Sequence, residues 1–597
     1  MTTPFRHPPM LRLEELEAHL GVPGADTAAA AARLDDDEAV PDGAIVALEE
    51  FGLHRYYVPV EHGGLLRDYE SAVALVRAVA GRDLTVAIAH GKTFLGAVCV
   101  WVAGDERQAG RIAADVADGR PVSWGLTERA HGSDLVSGEV TATEATDGVR
   151  LDGEKWLINN ATRGEVVCVL ARSDPEGGPR GFSLYLLDRR RLARGSFEPL
   201  PKVRTIGIRG ADISGFRLHG AVVHPEDDRV GARGHGLETV LKSLQLTRTL
   251  CSALSLGAAD HALRETVRFA EVRVLHGRAL VDLPAAARTL AECYADHLLA
   301  EAFSIVATRS IQALPGEMSV LSAAVKFFVP VSTEALLARL RRLLGARAWL
   351  RDVAPDDLDG SVPATGAGAF GTIERDHRIV ALFDGNTVVN LNSLISQFPA
   401  LVRAHRRPAA PADGLRPATD LSRPLPAADH RGLRLLSGSG ASLLHALDEA
   451  VDRTARIAAD VPTPGLAATA RAVDRLRHRA CDLITRLSLP LTPPDVPAEA
   501  FVLAEQLTRV LAGAAATGLW LGSRECVGPG SATWSDGAWL LAALDRVADS
   551  PRDGDGDGDD GDRALDAAYA TLLSELRAQV RDGRLTSLLP ARLAGAA

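Results

Sequence analysis

The chain has 597 residues, 46% of them apolar and 24% charged, with 66 basic against 77 acidic residues and a net charge of −11. That length divides into several domains at roughly 100–200 residues each, and the composition excludes a wholly disordered chain, a collagen and a small disulfide scaffold. The acidic balance gives no global reason to bind nucleic acid.

Residues 1–120 read as a helical domain. LEELEAHLG, AIVALEEFGL and ESAVALVRAVAG each place apolar residues at helical spacing and end in Gly. Residues 121–232 change to short alternating runs separated by turn signals (EVTATEA, VRLDGEKWLIN, EVVCVLA, GFSLYLLD, FRLHGAVV), the pattern of a β domain. Helical periodicity returns over 233–405. The Pro/Ala-rich stretch 406–430 reads as a linker, and 431–597 as a helical extension. In that extension Leu565, Tyr569, Leu572, Leu573, Leu576 and Val580 fall on one face, closed by Gly583. The expected fold class is α+β, mainly α: an N-terminal helical domain, a middle β-sandwich or barrel, a C-terminal four-helix bundle and an extra helical C-terminal domain.

The six cysteines (Cys99, Cys168, Cys251, Cys293, Cys481, Cys526) are scattered without metal-ligand spacing and read as reduced thiols of a cytoplasmic protein. The first residues reach charge before a signal-peptide core can form, and no uninterrupted apolar run approaches ~18 residues, so no membrane span is expected. The run Asp553–Asp562 spaces its acids like the start of a calcium loop. Ala564 stands where the closing Glu belongs, so the run reads as a solvated loop and no metal is expected. Only five basic residues are Lys (Lys92, Lys155, Lys202, Lys242, Lys326); the bias toward Arg looks compositional.

Four segments carry possible chemistry. WGLTERAHGSDL (Trp124–Leu135) follows a strand into a small-residue turn that can aim hydroxyls and N–H groups at a polar ligand; alone it is a polar turn. DGEKWLINNAT (Asp152–Thr162) sets amides beside an aromatic ring, and by itself is a hairpin strand. RVLHGRAL (Arg273–Leu280) breaks a helical pattern with Arg, His and Gly, which suits a phosphate or a helix–helix turn. ERDHRIVALFDGNTVVNLN (Glu374–Asn392) holds an Asp-Gly turn at Asp384–Gly385.

Taken together and in order over residues 50–400, these segments resemble the acyl-CoA dehydrogenase family. VPVEHGG resembles its P-x-x-x-G-G turn, WGLTERAHGSDL its TEP-x-AGSD segment and GEKWLINN its G-x-K-x-W-I-T-N strand. IGIRGADISGFRLHGAVV, LTRTLCSALSLGAADHAL, RVLHGRAL and ERDHRIVALFDGNT resemble the segments that follow. The resemblance implies an enzyme that binds FAD and oxidises an acyl thioester, presented on CoA or on a carrier protein, at Cα–Cβ. A carboxylate would remove the α proton while hydride passes to flavin N5. It implies electron-transfer flavoprotein or another acceptor as partner, and a homodimer or tetramer. Asp384 is implied as the base. Leu126, Thr127, Gly132, Ser133, Trp156, Ile158, Asn159 and Asn386 would face the flavin. Arg273 and His276 would reach the pyrophosphate and adenosine of a neighbouring subunit's cofactor, and Arg248 and Ser133 would serve the substrate side. Asp384 is one methylene shorter than the family's Glu, and no carboxylate occurs at the alternative helix position, in SLQLTRT. Two further readings keep the fold: a flavin oxidase or monooxygenase using O2, and a non-catalytic flavoprotein.

Overall fold

The structure, a computed structural model, describes residues 5–22, 25–351, 369–407, 412–489, 495–528, 531–547 and 558–595. Half of the calcium-like run, residues 553–557, and most of the Gly-rich stretch before Phe370 lie outside them.

Helices Pro8–Leu20 and Asp42–Phe51 end at Gly21 and Gly52, both at positive φ. Tyr69–Arg82 and Leu84–Ala103 are N-capped by Asp68 and Asp83, whose carboxylates accept from Ser71 N at 2.7 Å and Val86 N at 3.0 Å. Gly81, expected to end the first of these, lies inside it. Its use is close packing: helix Ser252–Val272 crosses here, and a Cβ on Gly257 would come 2.5 Å from Arg77 O.

The β domain is a mainly antiparallel sheet in the order β6-β7-β3-β2-β4-β5-β8, with β1 pairing in parallel to β4. The strands are β1 Val122–Gly125, β2 Thr141–Ala145, β3 Gly148–Asn159, β4 Val166–Arg172, β5 Phe182–Asp188, β6 Phe197–Leu200, β7 Ile213–Val223 and β8 Arg229–Val230. Val167, Val169, Tyr185 and Phe216 are among the side chains of its own core. The β3–β7 ladder slips at Leu157, where Trp156 pairs with Gly215 but Ile158 already pairs with Ser214.

Four helices form the bundle: Gly236–Leu250, Ser252–Val272, Pro284–Ala313 and Met318–Leu344. Asp376 ties it to both other domains, accepting from Thr85 Oγ1 at 3.1 Å and from Ile208 N at 2.7 Å. Helices Leu84–Ala103 and Pro315–Trp349 have the length and apolarity of membrane spans, but 67% and 72% of those windows are buried in the fold, as in core helices.

The extension contains helices Leu447–Asp460, Pro464–Arg486, Ala498–Val527, Ala538–Val547 and Gly558–Arg581. The last buries Leu565, Tyr569, Leu572, Leu576 and Val580, with Leu573 packed at the margin. The stretch 406–430, expected as a linker, is packed in its described part. Arg309 donates to the carbonyls of Pro417, Asp420 and Arg423 at 2.8, 3.1 and 2.9 Å, and Tyr69 meets His430 Nε2 at 2.7 Å. One apolar core runs from Leu13 through the bundle to Ala591. Composition suggested a tether because Pro and Ala are common in linkers; the main-chain carbonyls of this one instead satisfy a buried guanidinium.

A second fastening is ionic. Arg77 donates to Asp260 at 2.7 Å and to Glu301 at 2.5 Å, and the same carboxylates accept from Thr586 Oγ1 at 2.8 Å and Leu588 N at 2.7 Å. All of these side chains are buried. Arg77 and His297 beside Asp260 hold its carboxyl well below the usual range against the cost of burial.

Candidate active site

The turn at Asp384 is built from two successive left-handed residues, Asp384 at φ 55° and Gly385 at φ 93°. Asp tolerates that region better than most residues and Gly adopts it freely. Asn386 then N-caps helix Thr387–Ile395, its Oδ1 accepting from Val389 N at 2.9 Å. Asn390, buried behind, donates to Gly385 O at 2.7 Å. Arg248 donates from Nε to Asp384 O at 3.0 Å, and a Cβ on Gly385 would stand 2.9 Å from its Nη2. Burial lowers the Arg248 pKa to about 10 while the Asp384 charge supports it, so the group stays charged at neutral pH.

Three side chains that sequence reasoning missed complete this cluster. Lys92, from helix Leu84–Ala103, puts Nζ 3.6 Å from Asp384 Oδ1 and 3.8 Å from the centre of the Phe383 ring. Cys251 Sγ lies 3.4 Å from Asp384 Oδ2. Burial, with Asp384 adding to it, pushes that thiol up to about 12, so it is a neutral donor. Lys326 is fully buried behind Phe383, donates to Val380 O, and has its pKa lowered by burial. A composition dominated by Arg hid the one available signal, that two of only five lysines are held in apolar helices.

The β domain supplies the facing wall. β1 ends at Gly125, and Thr127 joins β3 through two bonds: Trp156 N to Thr127 O at 3.0 Å and Thr127 Oγ1 to Trp156 O at 2.8 Å. Glu128 pins the following turn. It accepts from Lys155 Nζ at 2.8 Å and from the N–H groups of Glu139 and Val140 at 2.6 and 3.1 Å. Ser133 lies on the open side of that turn, and Asn386 Nδ2 donates to its Oγ at 3.3 Å. A Cβ on Gly132 would meet nothing within 4 Å.

Not every expected flavin-facing residue is placed to serve. Ile158 is 3% exposed inside the β-domain core, so its side chain is committed to packing. The Trp156 ring carries the Arg129 guanidinium at 4.5 Å. The bulge turns Leu157 outward instead, at φ 56° and 44% exposed; a regular two-residue alternation does not anticipate this. Arg273 and His276 lie on the Val274–Leu275/Arg278–Ala279 hairpin, with no side-chain bond to the Asp384 cluster among the described residues.

The residues present fit a flavin. Both amide atoms of Asn159 and the indole N–H of Trp124 are buried without a protein partner. Orphaned groups of that kind are rare unless a ligand or water satisfies them. Asn159 would offer donor and acceptor to a planar heterocycle, with Leu126, Thr127, Gly132 and Ser133 along its edge.

Family models for the N-terminal, middle and C-terminal domains of acyl-CoA dehydrogenases match residues 25–120, 123–221 and 234–397 respectively. The "Probable acyl-CoA dehydrogenase FadE25" of Mycobacterium tuberculosis is 28% identical over 263 residues, covering 44% of this chain and 67% of that protein. Among solved structures, a glutaryl-coenzyme A dehydrogenase in complex with glutaryl-CoA matches with a TM-score of 0.58 and 19% identity, over 68% of this chain and 98% of the other. The prolyl acyl carrier protein oxidase AnaB matches with a TM-score of 0.57 and 18% identity, over 65% and 97%. With all three domains matched in order, the chain belongs to the acyl-CoA dehydrogenase family, FAD-dependent oxidoreductases that act on CH–CH bonds.

Proposed function

We propose that this chain dehydrogenates an acyl thioester between Cα and Cβ, with Asp384 as the base that takes the α proton. The supporting observation is the Asn386–Ser133 contact at 3.3 Å. It brings the β-domain turn that fits a flavin edge to within two residues of the Asp384 carboxylate.

FAD, when bound, accepts the electrons and hydrogen leaving Cβ. The chain's own residues do the rest. Arg248 holds the Asp384 carbonyl and so fixes the turn. Cys251 and Lys92 take one carboxylate oxygen each and set its direction. At 10% exposure the side chain is largely shielded from water, which strengthens the electrostatics of proton transfer. The missing methylene relative to Glu withdraws the carboxylate by about 1.3–1.5 Å on standard C–C geometry, a distance that the substrate or the turn must make up.

The thioester carrier is CoA or an acyl carrier protein, and the electron acceptor is electron-transfer flavoprotein or a comparable partner. Arg273 and His276 stand apart from Asp384 in one chain, which supports a homodimer or tetramer in which they meet another subunit's cofactor. The six free thiols suit a reducing, cytoplasmic setting.

The deciding experiment is Asp384→Asn, read by anaerobic flavin reduction in a stopped flow. The variant should fold, keep its yellow colour and bind thioester, while reduction slows by ~10²–10⁴-fold, the scale of a general base. Reduction at the parental rate would refute the assignment of Asp384 as the base.

A further inference from the structure

Asp384 is surrounded by more positive charge than it can balance. Lys92, Arg248 and Lys326 surround the Asp384 turn, Lys92 alone among them meeting its carboxylate, and the neighbouring Cys251 thiol is neutral. Arg248 spends its Nε–H on the Asp384 carbonyl and Lys326 donates to Val380 O. Lys92 makes no hydrogen bond among the described residues; its one ionic partner is Asp384, and otherwise it rests on the Phe383 ring.

That pairing aims the carboxylate, but at 3.6 Å it also engages an oxygen that must receive the α proton. A wholly apolar acyl chain would also bury this surplus of cations with nothing to offset it. An acyl group carrying its own anion removes both difficulties, because it gives Lys92 a different partner.

We propose that Lys92 determines substrate specificity by binding a second carboxylate on the acyl group, and that in doing so it releases Asp384 to act as the base. The inference rests on the reading of Asp384 given above. A carboxylate within reach of both Lys92 and a Cα facing Asp384 corresponds to a dicarboxylic monothioester of about four to six carbons, given near-attack distances of ~3–3.5 Å. A cationic acyl group, such as an aminoacyl thioester, would be repelled by the same lysine.

The test compares CoA monothioesters of dicarboxylic acids of those lengths with their neutral terminal amides. In the holoenzyme at least one acid should exceed its amide in kcat/KM by about tenfold or more. Lys92→Met should reduce that ratio by about 10–100-fold, lowering the rate on the acid and raising it on the amide as Asp384 loses its ion pair. Lys92→Arg should retain most of the preference. Binding gives an independent readout: Asp384→Asn should still bind the acid more tightly than the amide by equilibrium titration, and Lys92→Met should not. No preference for any acid in the parent, or equal losses on acid and amide in Lys92→Met, would overturn the proposal and leave Lys92 as a positioning residue for Asp384. If Asp384→Asn reduces flavin normally while the Lys92-dependent binding preference persists, the base assignment fails and the anion site stands.

Discussion

Arg248 hydrogen-bonds the main-chain carbonyl of Asp384, at 3.0 Å from Nε, and leaves the carboxylate to Lys92 and Cys251. Its charge therefore acts on the shape of the turn more than on the proton-accepting oxygens.

Arg248→Lys keeps a charge but loses the planar fork that reaches both the carbonyl and the face of Gly385. The variant should retain flavin and show a single-turnover reduction rate about 10–10²-fold lower, since small displacements at a near-attack geometry are costly. A parental rate would mean that the turn holds its own shape.

Gly385→Ala tests the same turn from the other side. The residue sits at φ 93°, and the new Cβ would stand 2.9 Å from Arg248 Nη2. A destabilisation of ~1–3 kcal/mol is expected from the backbone strain. It should appear in denaturant unfolding, with a loss of activity at least as large as in Arg248→Lys.

Asn159 predicts effects of opposite sign. Its amide is buried and unpartnered in the protein alone. Asn159→Ala should therefore stabilise the apoprotein by ~1–3 kcal/mol, the cost of an unsatisfied buried polar group, while FAD dissociates more readily. Denaturant unfolding of apoprotein and flavin titration separate the two effects. Weakened FAD binding without apoprotein stabilisation would place the amide on ordered water.

Much of the plan was legible in sequence. The shift from helical to alternating spacing near Pro121 and back near Leu237 tracks the three domains because helices and strands bury their faces at different periods. Asp384, Arg248, Ser133 and Asn386 do converge, and the motifs named them. What escaped has particular causes. The Leu157 bulge changes which β3 residue points outward, and a bulge leaves no mark in composition. Lys92 is some 290 positions from Asp384 in sequence, so only the tertiary fold unites them. The stretch 406–430 has the residues of a linker but packs through its carbonyls, a use of the backbone that side-chain identity does not record.

Because that stretch is packed, the extension should not be separable. Cutting or truncating the chain between 412 and 428 should expose the apolar faces of Pro284–Ala313 and Met318–Leu344, which the extension covers. Aggregation or loss of FAD on limited proteolysis is the expected result; a soluble yellow core ending near residue 407 would contradict it. Glu301→Ala should be milder but still costly, ~3–5 kcal/mol, because it leaves Arg77 buried with half its charge partners.

Three buried histidines contribute to the pH dependence of stability, opposed between pH 5 and 7 by Glu70, whose carboxyl is pushed up to about 7 by burial. Burial pushes His7, His90 and His377 down to about 3, whereas in the unfolded chain they titrate near the ordinary ~6.5. Between those values the unfolded chain binds protons that the folded one refuses. Their contribution is therefore full above about pH 6.5 and falls by up to ~1.4 kcal/mol per pH unit per histidine as the pH drops toward 3. Urea unfolding at pH 5 and 7 measures the slope, and His377→Gln should flatten it.

Helix Pro8–Leu20 is held by residues 578 and 577 positions further along the chain. Glu14 accepts from Arg592 N at 2.9 Å and Glu17 from Ala594 N at 3.1 Å. On a ribosome, where early domains normally fold first, this helix must wait for residues 592–594 to emerge before its carboxylates find those partners. Completing this contact is thus a late event, and a nascent chain stalled before residue 592 leaves Glu14 and Glu17 without these two main-chain partners.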